Sequence, residues 1–158
     1  MGQRNLRMKI LAGTVTTVVC LIGALWAAQE KAPPARVAWQ HDLKSAQKLS
    51  VARGKPMLVV FVGAEGTWCK MLERDTFCDS ATAAYINSAF IPVMLDGEKD
   101  RKIADILEVT QVPTSIVLSH NADLWGTISG YVEKTRYRKA LQQALTNGAA
   151  LRMTASTR

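Results

Sequence analysis

The sequence predicts an α/β domain built on a central mixed sheet with helices on both faces. Three observations point there. From residue 41 onward, helical and extended patterns alternate along the chain rather than clustering. One extended segment, Met57-Leu58-Val59-Val60-Phe61-Val62, is apolar at every position, as a strand buried on both faces would be. The last periodic segment, residues 133 to about 146, places Tyr137, Leu141, Ala144 and Leu145 at helical spacing.

In order, the first helix opens near His41-Asp42, carries Leu43, Ala46 and Leu49 on one face, and closes at Gly54. The apolar strand follows. Residues 63–66 turn the chain into a helix bearing Trp68, Met71 and Leu72, and Asp79 caps the next, which holds Ala83, Tyr85 and Ile86. Residues 90–95 form a second strand, and Pro92, having no N–H to donate, puts it at or near an edge. Asp96-Gly97 turns into a helix with Ile103, Ile106 and Leu107 on its apolar side and a solvated charged face. Residues 114–118 and 124–129 are two strands around a turn at His120-Asn121. Gly148 is expected to end the last helix, leaving residues 148–158 as a flexible tail. The pattern leaves the strand order open.

Charge and hydropathy divide the chain. Residues 1–36 hold five basic side chains (Arg4, Arg7, Lys9, Lys31, Arg36) and one acid, Glu30, so most of the net charge of +7 flanks an apolar stretch. The other 122 residues hold fifteen basic and twelve acidic side chains and show no basic stripe with interleaved aromatics, which argues against nucleic-acid binding. Residues 10–28 carry no charge, and as a helix rising ~1.5 Å per residue they nearly cross a bilayer core. The preceding cations stay in the cytoplasm and place the domain outside it, in the periplasm or beyond the cell. A cut after Ala27 or Ala28 would put bulky Leu25 or Trp26 where signal peptidase wants a small residue, which favours a retained anchor over a cleaved signal peptide. Cys20 reads as a small apolar residue of that helix. The expected organisation is thus an anchor or signal at 1–28, a linker at 29–36 stiffened by Pro33 and Pro34, a domain at 37–147, and the tail.

The segment MLVVFVGAEGTWCKML, residues 57–72, resembles the strand, active site and helix of the thioredoxin family, with Gly66-Thr67-Trp68-Cys69 standing where that family has CxxC. Val112-Pro113-Thr114 resembles the family's cis-proline turn, and Gly130-Tyr131 the glycine before its last helix. Trp39, the Trp-Cys-Lys wording and Thr76-Phe77-Cys78-Asp79 are similar to the extracytoplasmic branch that includes the terminal domain of bacterial transmembrane disulfide reductases. The resemblance implies a thioredoxin-like fold and a groove around Gly66, Thr67, Trp68, Val112, Pro113 and Thr114 that pairs with an extended protein or peptide partner. It implies neither a cofactor nor a metal, and the two histidines, His41 and His120, join no ligand motif.

Three departures matter. The attacking cysteine is replaced by Gly66, the tryptophan before it by Glu65, and a buried acid of the first core strand by Val60. Disulfide exchange begins with a thiolate at a helix N-terminus, and here that position has no sulfur. Cys69 matches the resolving cysteine, one turn in and shielded. A continuous helix would carry Cys78 ~13 Å along the axis from it, beyond the ~7 Å limit between bridged Cα atoms. Cys78 is therefore expected in the core or near a helix cap. The sequence points to a partner-binding module with lost or weak exchange activity; the alternative is an oxidoreductase working through the single thiol of Cys69.

Overall fold

In the computed structural model, residues 35–156 are described; the anchor segment and most of the linker lie outside them. Among the described residues no helix is long and apolar enough to cross a membrane.

The first helix, α1 (Leu43–Arg53), starts where Asp42 accepts the Ser45 N–H at 2.8 Å and stops at Gly54, whose φ of 62° only glycine adopts freely. Strand β1 (Met57–Val62) is the centre of the sheet. It pairs in parallel with β2 (Ile91–Asp96) and antiparallel with β3 (Thr114–Leu118), which pairs antiparallel with β4 (Leu124–Ser129). The order is β2-β1-β3-β4.

Alternation along β1 sends its side chains into two cores. Leu58 and Val60 join Leu72, Phe77, Ile86, Tyr137 and Leu141 on one face. Met57, Val59 and Phe61 join Ala46, Val93, Leu95, Ala104 and Ile116 on the other. Strand β2 does lie at the edge. Gln40 caps its outer side, donating to the Pro92 carbonyl and accepting from the Met94 N–H, both at 2.9 Å. The Pro92 carbonyl faces outward, so the N–H that proline lacks is also on the outer side, and the ladder with β1 is unharmed.

Helix α2 (Thr67–Leu72) runs into a π-helical turn, Glu73–Phe77, in which the Cys78 N–H reaches back to the Glu73 carbonyl at 2.9 Å. Helix α3 (Ser80–Ala89) opens on Asp79, which accepts the Thr82 N–H at 3.0 Å. Helix α4 (Arg101–Ile106) follows β2, and α5 (Lys134–Ser156) closes the fold.

One expectation is corrected here. Helix α5 does not end at Gly148 but runs through it to Ser156, into the segment expected to be a tail. The glycine serves packing, not termination: a Cβ there would stand 2.2 Å from the Trp125 ring. One turn later the Arg152 guanidinium lies 4.6 Å over the same indole, so α5 grips Trp125 at both positions. Of the two places expected for Cys78, the structure has it at the helix cap and not in the core. It is exposed, in the cap region between the π turn and α3, and neither it nor Cys69 is in a disulfide.

Candidate functional site

Strand β1 ends by delivering Gly63, Ala64, Glu65 and Gly66 as a tight loop closed by the Gly66 N–H on the Gly63 carbonyl at 3.3 Å. Gly66 is the N-cap of α2, with φ −74° and ψ 113°, values any L-residue accepts. Cys69 is one turn inside and only 5% exposed. Its sulfur accepts the Gly63 N–H at 3.4 Å. A Cβ on Gly66 would lie 2.9 Å from that sulfur, so the two positions face each other directly. Lys70 is solvated and only loosely paired with exposed Glu65, 3.9 Å away.

Beside this helix start is an open cleft of about 450 Å³ lined by Trp68, Gln111, Val112, Pro113, Gly130 and Tyr131. Trp68 is 58% exposed and leans on Tyr131, the ring centroids 6.0 Å apart. Across from it the Val112–Pro113 peptide is cis, and Val112 is 38% exposed. The Gly130 N–H donates to the Pro113 carbonyl at 2.7 Å and joins the two sides of the cleft floor. None of the six lining residues carries a formal charge.

The π turn holds Tyr131 in place. It sets Asp75 to accept the Tyr131 hydroxyl at 3.4 Å, and Thr76 Oγ1 to donate to the Val132 carbonyl at 3.1 Å. The Arg74 guanidinium, 2.6 Å from Asp75, holds that carboxyl below its ordinary range, so it stays an acceptor. Partial burial and the Asp75 charge push the Tyr131 phenol up, so it stays a donor. Behind the site, Tyr137 is fully buried and donates to Ser115 Oγ at 2.7 Å; burial raises its ionisation far above the phenol range.

Of the six groove residues expected from sequence, Trp68, Val112 and Pro113 line the cleft. Gly66 and Thr67 open α2 beside Trp68 without lining it. Thr114 is buried and turned inward, its hydroxyl donating to the Gln111 carbonyl at 2.8 Å. Sequence reasoning had Tyr131 only as part of a motif and did not single out Gln111. The aromatic directly after a glycine, in Gly130-Tyr131, is the sequence signal for Tyr131, and the structure gives that glycine a φ of 79°. Among the described residues no three His, Cys, Asp or Glu side chains converge as a metal would require.

The family model of the thioredoxin-like domain matches residues 43–145. Among solved structures, the chain is similar to one described as DsbH oxidoreductase, with 17% identity and a TM-score of 0.63 over 75% of this chain and 92% of that one. It is also similar to a thioredoxin from Thermus thermophilus, with 19% identity and a TM-score of 0.66 over 75% and 93% of the two chains. A thioredoxin from Trypanosoma brucei brucei aligns at 16% identity with a TM-score of 0.56, over 75% and 98%. At such identities the likeness is one of fold. No curated protein matches the sequence significantly.

Proposed function

The chain belongs to the thioredoxin-like family, and from that premise we propose that it is a membrane-tethered, extracytoplasmic module that binds a protein or peptide partner instead of exchanging disulfides through a cysteine pair. The observation that carries the reading is the cleft itself. A thioredoxin-like domain with glycine at the attacking position still presents an exposed Trp68 against Tyr131 and an exposed Val112 opposite. An indole more than half exposed to water leaves apolar surface unfavourably placed, and aromatic anchors in clefts dominate binding energy when a partner covers them. The partner this suits is an extended segment that lays an apolar side chain over the Trp68–Tyr131 pair, against Val112.

The tether rests on residues 10–28 and on the cations before them, and the missing nucleophile on Gly66. The test uses a disulfide-free unfolded probe, reduced and carboxymethylated lactalbumin. The full chain should bind it with a change in Trp68 fluorescence that Trp68→Phe abolishes, and should not accelerate insulin reduction by dithiothreitol. Insulin reduction well above background, with no binding of the probe, would overturn the proposal.

One observation favours a second reading. The Gly63 N–H is aimed at the Cys69 sulfur, a contact that a reacting sulfur in a single-thiol oxidoreductase would use. Iodoacetamide alkylation separates the two. Under the binding reading exposed Cys78 is labelled first and buried Cys69 only on unfolding; rapid native labelling of Cys69 would favour the enzyme.

A further inference from the structure

Glycine is explained at Gly54 and Gly130 by positive φ, but Gly63 and Gly97 have no such φ, so their own backbones do not demand glycine. What a side chain at either would press on is Val112. A Cβ on Gly63 would stand 3.1 Å from Val112 Cγ2, and one on Gly97 would stand 2.9 Å from Val112 Cγ1. The two glycines come from different loops, after β1 and after β2. Those loops are joined behind the valine, where the Gly97 N–H donates to the Val62 carbonyl at 2.9 Å. Each loop therefore receives one methyl group of the same side chain.

A β-branched side chain is stiff at χ1, so holding both γ-methyls also holds the backbone that bears them. The backbone in question is the ridge of the cleft. Val112 separates the Trp68–Tyr131 cleft from a second one of about 570 Å³, in whose wall Gly63 and Gly97 lie together with Glu98 and Arg101. Gly97 itself lines no part of the first cleft.

We propose that Gly63 and Gly97 form a socket that fixes the Val112 ridge in register with Trp68, and that Gly97 is a positioning residue for the extended segment the cleft receives. This rests on the peptide-groove reading above. It goes further by tying the groove to the loop after β2, which contributes nothing to the cleft surface.

The perturbation is Gly97→Ala. Its Cβ would come roughly 0.6 Å inside the ~3.5 Å at which carbon atoms pack without repulsion, so the valine must move. A shift of that size at a positioning element costs on the order of tenfold. The full chain carrying Gly66→Cys, reduced beforehand and freed of reductant, supplies a single-turnover rate as its two thiols become a disulfide and the probe's disulfide becomes two thiols, on two probes: insulin, a peptide disulfide that needs the groove, and hydroxyethyl disulfide, which does not. The ratio of the insulin rate to the hydroxyethyl disulfide rate should fall about tenfold in Gly97→Ala. In a Val112→Ala background, which removes the methyl that clashes, Gly97→Ala should cost nothing further. An unchanged ratio, or an equal loss in both backgrounds, would overturn the socket.

Should the Gly66→Cys chain reduce hydroxyethyl disulfide but not insulin, the peptide-groove reading fails, and the socket is then decided by NMR. Nuclear Overhauser contacts from both Val112 methyls to the Gly63 and Gly97 α-protons are expected. Gly97→Ala should also shift the Val112 and Gly130 amides. Absence of either result would refute the socket by itself.

Discussion

Gly66→Cys tests the site most directly. A disulfide S–S length of ~2.04 Å puts a half-cystine Cβ about 3 Å from the partner sulfur, and the Cβ position on Gly66 is already 2.9 Å from the Cys69 sulfur. The backbone at φ −74° accepts a cysteine without strain. In the reduced variant that close approach is crowded, and bond formation relieves it, so the oxidised form should accumulate readily. Closing a four-residue loop stabilises by about 2 kcal/mol in the chain-entropy picture. For a domain of this size that is about 8 °C in melting midpoint. The expected result is a melting curve that drops by that amount on adding dithiothreitol, while wild type is indifferent. Mass spectrometry after iodoacetamide should find only Cys78 labelled among the domain's cysteines in the native oxidised variant.

The new thiol opens a helical run of residues 67–77 whose first N–H groups favour an anion, so insulin reduction should rise roughly tenfold or more over wild type. Val60 and Glu65 should hold that rate below an ordinary family member's. If residues 66 and 69 remain two free thiols under oxidised glutathione, the facing geometry is wrong. If wild type already matches the variant, Cys69 works alone and the binding reading falls.

Three further outcomes follow from packing and charge. Gly148→Ala gains ~1 kcal/mol of helix propensity but drives a methyl into the Trp125 ring, for a net loss of about 2 kcal/mol; a denaturant midpoint that rises instead would contradict the packing. Tyr137→Phe leaves the buried Ser115 hydroxyl without its donor and should cost about 1–2 kcal/mol in urea unfolding, partly recovered by adding Ser115→Ala; additivity of the two losses would refute the pairing. Asp79 bonds Lys134 and caps α3, and these contacts lower its carboxyl to about 2. A depressed carboxylate stabilises the fold above its unfolded value of ~3.9, and that contribution is lost as pH falls toward 2. The stability advantage of wild type over Asp79→Ala should therefore be constant above pH ~5 and shrink between pH ~4 and ~2. A pH-independent difference would remove the charge from the argument.

Where a residue's role is local, the sequence already declares it. Gly54 as a helix stop, Asp79 as a cap, Pro92 on an edge and the two-faced burial of β1 all follow from groups within a few positions of each other. Gly148 did not, because its meaning belongs to Trp125, which reaches it only through the fold. Glycine after a periodic segment is a stop by propensity, and tertiary contact reversed it. The π turn has no sequence signature either, yet it aligns Asp75 and Thr76 with Tyr131 and Val132, and so completes a cleft whose other wall comes from Val112 and Pro113. The motif residues Trp68, Val112 and Pro113 were legible; the socket behind Val112 was not, since Gly63 and Gly97 are ordinary loop glycines until their shared neighbour is seen.

The placement of α5 has a consequence for how the chain reaches this structure. Leu58 and Val60 sit near the start of the domain, but Tyr137, Leu141 and Ala144, which cover them, arrive with the last helix. Strand β1 likewise waits for β3 to complete its second ladder. A growing chain therefore holds a sheet face only partly covered, by Leu72, Phe77 and Ile86, until the domain's last helix is made, and no earlier fragment closes both cores. High sequence separation between such partners slows folding and lengthens the exposure of sticky surface. The price falls on truncation: a chain stopped before residue 134 should aggregate rather than fold in part, which makes the domain's acquisition of structure a single late event.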